Sequence, residues 1–572
     1  MLKISIDYSS KKLALLLVMA LFTSCLAYNT YNLFFPISSI AISDDAEHLH
    51  VAYMLGQGKR PFIDFMQNHP MLYNHYLWFI YKLYKIHSIR HWDTLARITV
   101  FLHFILCIFV ISSWASKLIN ERPQGMVWFG ILTLSWATIG LQDGYLHWLW
   151  QIRPDFICYA YTLLGLYLIF LYFKKLHRRQ IYLLITGGFL IGMGNAILPK
   201  GIIIILPIIV IIMLISLLRH DLNMKSYLMD KPVIYSLIAV SLAASISFAS
   251  GVALDCHLSG ISTGNWISGV LLLNSRKHII YTASEDNPIS SIVAAFSLPF
   301  PLMVALAAWG IWEVCRCQEL NRNNYGTTGI AMFSVMTIIV NLLMPSFSNG
   351  ATWSYYFIPS LFAAALIYLL LFNKIWKNMF ITDHTNNKKL YITAIIVIIS
   401  TYTLLPQTID AYLNYISRTS SYNELKSLDK KDYLKEDTLP SSFIYLSIAP
   451  FHVPIRGKDW SYYYMLVRDK GFWNDCFRLG LGPEPRQVWG KGFGDHPPDA
   501  LAFCSPTELL EFVLAMSRCQ GIDVSWLFDE VKKNYVFMTT RGASLYVRRN
   551  KVSFLSQRGW QASTTAKTFP SP

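Results

Sequence analysis

Runs of about twenty apolar residues, each long enough to cross ~30 Å of hydrocarbon, recur from Leu13 to about Pro406 and then stop. Each reads as a membrane-spanning helix, with segments at 13–34, 97–115, 125–141, 156–173, 181–198, 201–218, 233–252, 291–312, 327–344, 355–373 and 390–406. The expected fold class is therefore a polytopic α-helical membrane protein of about eleven transmembrane helices. Composition agrees: 54% hydrophobic residues against 15% charged, with a mean hydropathy of +0.37, exceeds what a soluble fold carries.

Lys and Arg in the short connections set the orientation, because they resist translocation. Lys3, Lys11 and Lys12, then Lys117 and Arg122, Lys174 to Arg179, Arg219 to Lys231, Arg316 and Arg322, and Lys374 to Lys389 all fall on one side, which is read as cytoplasmic. With an odd number of spans, the amino terminus lies inside. The connections 36–94, 142–154 and 253–290 and everything after 407 then lie outside. The chain is expected to be a multi-pass integral protein, with a bacterial inner or plasma membrane as its host. The net charge of +15 needs no nucleic acid, since much of it serves these cytoplasmic loops and contact with anionic membrane lipid. Phe22 to Cys25 resembles a lipoprotein cleavage site, but a long signal anchor explains the same residues.

Residues 1–406 thus form the transmembrane region. Residues 407–555 interleave Pro, Gly and charges with β-rich runs such as 442–449 and 535–540, and read as a small extracytoplasmic α/β domain. The polar end, 556–572, reads as a disordered tail. Of the tail cysteines Cys476, Cys504 and Cys519, two can pair in an oxidising compartment, and the sequence leaves open which.

Against this apolar background, the segment from Ser43 to Pro70 gathers Asp44, Asp45, Glu47 and Asp64 with His48, His50 and His69. Ionisable groups are costly in hydrocarbon, so such a cluster beside a span marks water or a site. Asp44, Glu47 and His48 share one face if the segment is helical, with Asp45 turned away. A carboxylate held there suits a general base. The plainer reading is a solvated helix start, capped by Ser43 and favoured by acids at its positive end. Gly56, Gly58 and Pro61 mark a turn before Asp64 and the His69-Pro70 pair.

Asp44-Asp45, Glu47-His48, Ala52, the Gly58-x-x-Pro61-Phe62-x-Asp64-Phe65 stretch and His69-Pro70 together resemble the first external loop of the GT-C glycosyltransferases. The likeness is to the protein O-mannosyltransferase and lipid A aminoarabinose transferase type. It covers mainly residues 10–100 and, more loosely, the other spans. It implies a GT-C fold and transfer from a polyprenyl-phosphate sugar to an extracytoplasmic acceptor, with inversion. Asp44 matches the first acid of the family's pair and would act as base or orient the acceptor. Asp45 stands where Glu is usual, so the division of labour between the two acids stays open. Gln67 and Asn68 stand where acid and His are common, which weakens the case for a metal in this loop. No cofactor is firmly implied, and a divalent ion stays open as one. Glu47, His48, Asp64 and His69 are carried as substrate-binding residues.

Arg153, in an Arg-Pro-Asp run at the mouth of a span, and Lys200, in a Leu-Pro-Lys-Gly turn, are candidates to meet a donor phosphate. A basic residue at a membrane boundary also snorkels without further duty. Tyr355 and Tyr356 resemble the family's aromatic entry to a late helix and are candidates for the lipid or acceptor groove, with an interfacial aromatic belt as the plainer reading. An envelope polysaccharide ligase or polymerase, and a lipid or sugar transporter, are the competing classes.

Overall fold

The computed structural model describes residues 43–65, 67, 69–84, 89–119, 152–175, 180–199, 231–272, 362, 369, 444–446, 458–459, 493–501, 503, 506–515, 517, 523–540 and 543–563. The expected sites Lys200, Tyr355 and Tyr356, and the tail cysteines, lie outside the described residues.

The acidic segment is helical: α1 spans Ser43–Gly56. A turn at Gly58, whose φ of 77° suits glycine, leads to α2 (Leu72–Leu83) and then α3 (Ile89–Ile119). Four further helices follow: α4 (Asp155–Lys175), α5 (Ile181–Ile197), α6 (Lys231–Ser259) and the single turn α7 (Thr263–Trp266), which continues as a π-helical turn over Ile267–Leu272. Among the described residues, three stretches are long and apolar enough to cross a membrane: His91–Lys117, Asp155–Tyr172 and Tyr235–Ser259. The helix Ile181–Ile197 is apolar but shorter.

Helix α5 sits between α4 and α6 because glycine removes side chains on two of its faces. A Cβ at Gly187 would lie 2.7 Å from the Gly165 carbonyl of α4, and one at Gly188 would lie 2.6 Å from the Val240 carbonyl of α6. Between helices immersed in lipid, where apolar burial gives little drive, such close backbone approach supplies the packing.

The span expected at 233–252 continues to Ser259. The added turns carry Asp255, a carboxylate that is expensive in hydrocarbon. The helix accommodates it by supplying hydrogen-bond donors, described below.

The carboxy-terminal residues form a six-stranded mixed sheet in the order β2-β1-β3-β5-β4-β6. Its strands are β1 (Ile444–Leu446), β2 (Lys458–Asp459), β3 (Ala500–Leu501), β4 (Tyr535–Thr540), β5 (Ala543–Arg548) and β6 (Gln561–Ala562). β1 runs parallel to β2 and β3, while β5 and β4 form an antiparallel hairpin with Val536 opposite Val547. Helix α8 (Phe493–Asp495) precedes β3, and α9 (Pro506–Ala515) and α10 (Trp526–Asn534) lie between β3 and β4; α10 buries Leu527, Phe528 and Val531.

One apolar core joins this sheet layer to the membrane helices. Phe62 of the first loop, Val252 and Cys256 of α6, and Trp266 and Val270 pack with Phe493, Leu501, Leu527 and Tyr546. Phe62 takes a φ of 64°, a left-handed conformation that costs a bulky residue about 1–3 kcal/mol. It is 2% exposed, and its ring rests on Gly269, where a Cβ would collide with it. Burial of the ring, about 1.5–3 kcal/mol, offsets the strain.

Candidate functional site

Asp44 and Asp45 lie on α1, which is described from Ser43; their side chains are outside the described residues. Glu47 and His48 lie on this helix, and the face expected for Asp44 rests on the spacing alone. Glu47, His48 and His50 are 3–6% exposed, so α1 carries these three into the protein and is not solvated at these positions. Buried charge needs partners. Gln67 Nε2 donates to Glu47 Oε1 at 2.8 Å, so the loop residue standing where an acid is common serves as a clamp on α1. Asn74 Nδ2 of α2 donates to the His48 carbonyl at 3.0 Å and lies 3.4 Å from His48 Nδ1. Tyr73 meets the His48 ring edge-on at 5.4 Å, and His69 brings its ring to 6.2 Å from that of His48. The structure thus gathers Glu47, His48 and His69 at one place. Beneath them Leu49 and Ala52 of α1 pack with Tyr73, Leu77 and Ile80 of α2, and with Trp92 of α3 and Ile152.

Asp64 belongs to a separate turn. Its Oδ2 accepts from the Arg60 backbone N–H at 2.8 Å and from Arg60 Nε at 3.3 Å. Burial pulls this carboxyl upward, and the two bonds from Arg60, with its charge, outweigh that and hold it below its ordinary 3.8.

Arg153 joins the core through its neighbour Ile152, and its Nε donates to Asp155 Oδ2 at 3.0 Å. Both residues are buried, and Asp155 occupies the first turn of α4, where the helix dipole favours an acid. Asp155 stands in the same Arg-Pro-Asp run, and its pairing with Arg153 is a finding of the structure. A buried cation so held is oriented as well as charged. Among the described residues, no group of three or more His, Cys, Asp or Glu is close enough to hold a metal.

Sequence reasoning missed Asp255 of α6, which is fully buried. Its Oδ2 accepts from the Met71 backbone N–H at 2.9 Å and from Trp266 Nε1 at 2.8 Å. Ser259 Oγ donates to its Oδ1 over a longer 3.4 Å, and lies 2.9 Å from His75 Nε2. No local motif announces a partner 184 residues away; the one available sign was a lone acid at the end of an apolar run.

Burial pushes the His75 imidazole down to about 4 from its ordinary 6.5. The unfolded chain therefore binds a proton near pH 6.5 that the folded chain refuses until about pH 4. The stability from neutral His75 is present above pH 6.5 and is lost as pH falls towards 4, by about 3 kcal/mol. Thermal unfolding of the full chain in detergent at pH 7.5 and 5 should show about 2 kcal/mol of this loss. His75→Asn should flatten it, and an equal pH dependence in the variant would contradict the assignment.

No protein-family model matches the chain, and no curated protein does. Among solved structures, it is similar to the archaeal oligosaccharyltransferase AglB from Archaeoglobus fulgidus, in complex with an inhibitory peptide and a dolichol-phosphate. That match has a TM-score of 0.52 at 9% identity and covers 93% of this chain and 74% of the other. The Archaeoglobus fulgidus oligosaccharyltransferase in its apo form also matches, with a TM-score of 0.44 at 12% identity over 93% and 74% of the two chains. At such an identity the likeness to the AglB structure is one of fold.

Proposed function

We propose that this chain is a membrane glycosyltransferase that moves a sugar from a polyprenyl-phosphate donor to an extracytoplasmic acceptor, with inversion. The observation that carries the reading is the position of α1. It starts at Ser43, and Glu47 and His48, one turn beyond Asp44, are held in a buried network by Gln67 and Asn74. A carboxylate on so fixed a helix is pre-positioned, which is what proximity catalysis requires. The AglB structure of similar fold holds a dolichol-phosphate, a lipid-linked phosphate of the class proposed here.

In this reading Asp44 takes the proton from an acceptor hydroxyl or amine while the acceptor attacks the anomeric carbon. The bond from that carbon to the phosphate oxygen breaks, and polyprenyl phosphate leaves with the electron pair. Arg153 and Lys200 meet the charge gathering on that phosphate. Asp45 shares the acid's work or orients the acceptor. Glu47, His48, Asp64 and His69 contact substrate or hold the loop that does, and Tyr355 and Tyr356 line the lipid or acceptor groove. The amino terminus is cytoplasmic and residues 407–555 are extracytoplasmic.

Donor class tests this against the ligase reading. Membranes carrying the full chain are given labelled sugars on polyprenyl phosphate or labelled glycans on polyprenyl diphosphate. Transfer from the monophosphate alone is the expected result. Transfer only from the diphosphate-linked glycan would favour an oligosaccharide ligase and overturn the donor assignment.

A further inference from the structure

Helix α2 enters the structure without a cap of its own. Its N-cap residue, Met71, makes no side-chain capping bond, and its first turn contains no acidic residue. An uncapped helix start leaves N–H groups without partners and a positive dipole end without a counter-charge. The missing negative charge comes from α6: the Asp255 carboxylate accepts the Met71 N–H at 2.9 Å. Asp255 has no Lys or Arg partner among the described residues. Its interactions are with Met71 N–H, Trp266 Nε1 and Ser259 Oγ. A fully buried acid stabilised by donors alone is costly to keep unless it does something local packing cannot. The contact falls at the first N–H after Pro70, which has none. Two residues before Met71 is His69, whose ring faces His48.

From this juxtaposition we infer that Asp255 is a positioning residue for the transfer site: from α6 it fixes the start of α2 and thereby holds His69 against His48. The inference rests on the proposed function and deepens it. Trp266 orients the carboxylate, and it packs in the core shared with the carboxy-terminal sheet, so that layer bears on the site through Asp255. Ser259 and His75 close the ring between α6 and α2.

The test uses the full chain in membranes or detergent, with Asp255→Asn and Trp266→Phe. Asn is nearly isosteric and keeps one acceptor, and Phe removes a donor while leaving the Met71 contact. Two quantities are read: the rate of carbethoxylation of His69 by diethyl pyrocarbonate, resolved by peptide mass spectrometry, and the rate of sugar transfer. His103, half-buried on α3, serves as the unfolding reporter. In Asp255→Asn the His69 rate should rise several-fold with His103 unchanged, and transfer should fall roughly 10–100-fold, as small misplacements near a reaction do. Trp266→Phe should change both in the same sense and by less. An unchanged His69 rate in Asp255→Asn overturns the inference whatever the activity. A raised rate with undiminished transfer overturns it as well. His69 and His103 rising together in both variants would mean a purely structural role and also overturns it. Absence of transfer in the unmutated chain is independent of residue 255 and overturns the glycosyltransferase reading instead.

Discussion

If Asp44 is the proposed base, Asp44→Asn is expected to lower sugar transfer by about 10²–10⁴-fold, the range that loss of a positioned general base produces, with the protein still folded. Asn occupies almost the same volume and accepts a hydrogen bond, but it cannot take the acceptor's proton at neutral pH. The buried attachments of the helix, Gln67 to Glu47 and Asn74 to His48, remain. Asp45→Asn is the companion: Asp45 sits about 100° round the helix axis, so its loss should cost less. Rates compared at matched protein amounts check both. A rate for Asp44→Asn within about twofold of the wild type would remove Asp44 from the chemistry, since general base catalysis is worth far more than that.

Gly192→Val is expected to be the most damaging change away from the site. A Cβ there would lie 2.8 Å from both the Phe248 backbone nitrogen and the Ser247 Cβ of α6, and backbone cannot yield as a flexible side chain does. Valine adds two methyl groups beyond that Cβ. Overpacking of this kind costs about 1–3 kcal/mol and often more where backbone is the obstacle. The expected readout is a lower midpoint of thermal unfolding in detergent and less folded protein in membranes. Gly264→Ala is the control, because Gly264 is exposed and its nearest neighbour to a new Cβ is Ser262 Oγ at 3.6 Å. Equal stability of the two variants would contradict the close approach of α5 and α6.

What the sequence made legible was local. The apolar runs at 156–173 and 181–198 match α4 and α5 to within two residues, because hydrocarbon length dictates such runs. The strand at 535–540 declared itself through β-branched and aromatic residues. Contacts distant along the chain were not legible. The hydrogen bond from Met71 to Asp255, the seating of Phe62 on Gly269, and the core shared by α6 and the sheet all join residues far apart. Gln67 shows the boundary between the two: it read as a departure from an acidic pattern, and the structure makes it the partner of Glu47. Arg153 was legible as a cation at a membrane mouth, while its commitment of Nε to Asp155 required coordinates.

Whether a glycosidic bond is broken tests the account most directly. Purified full chain in lipid nanodiscs is mixed with a doubly labelled donor, one label on the sugar and one on the polyprenyl chain, together with extracytoplasmic envelope material as acceptor. The expected result is that the labels separate in equal amounts, the sugar on the acceptor and the lipid as polyprenyl phosphate, and that Asp44→Asn slows both together. Binding of the donor with the two labels never parting, in wild type and variant alike, would contradict it and leave a carrier of lipid-linked sugar in place of an enzyme.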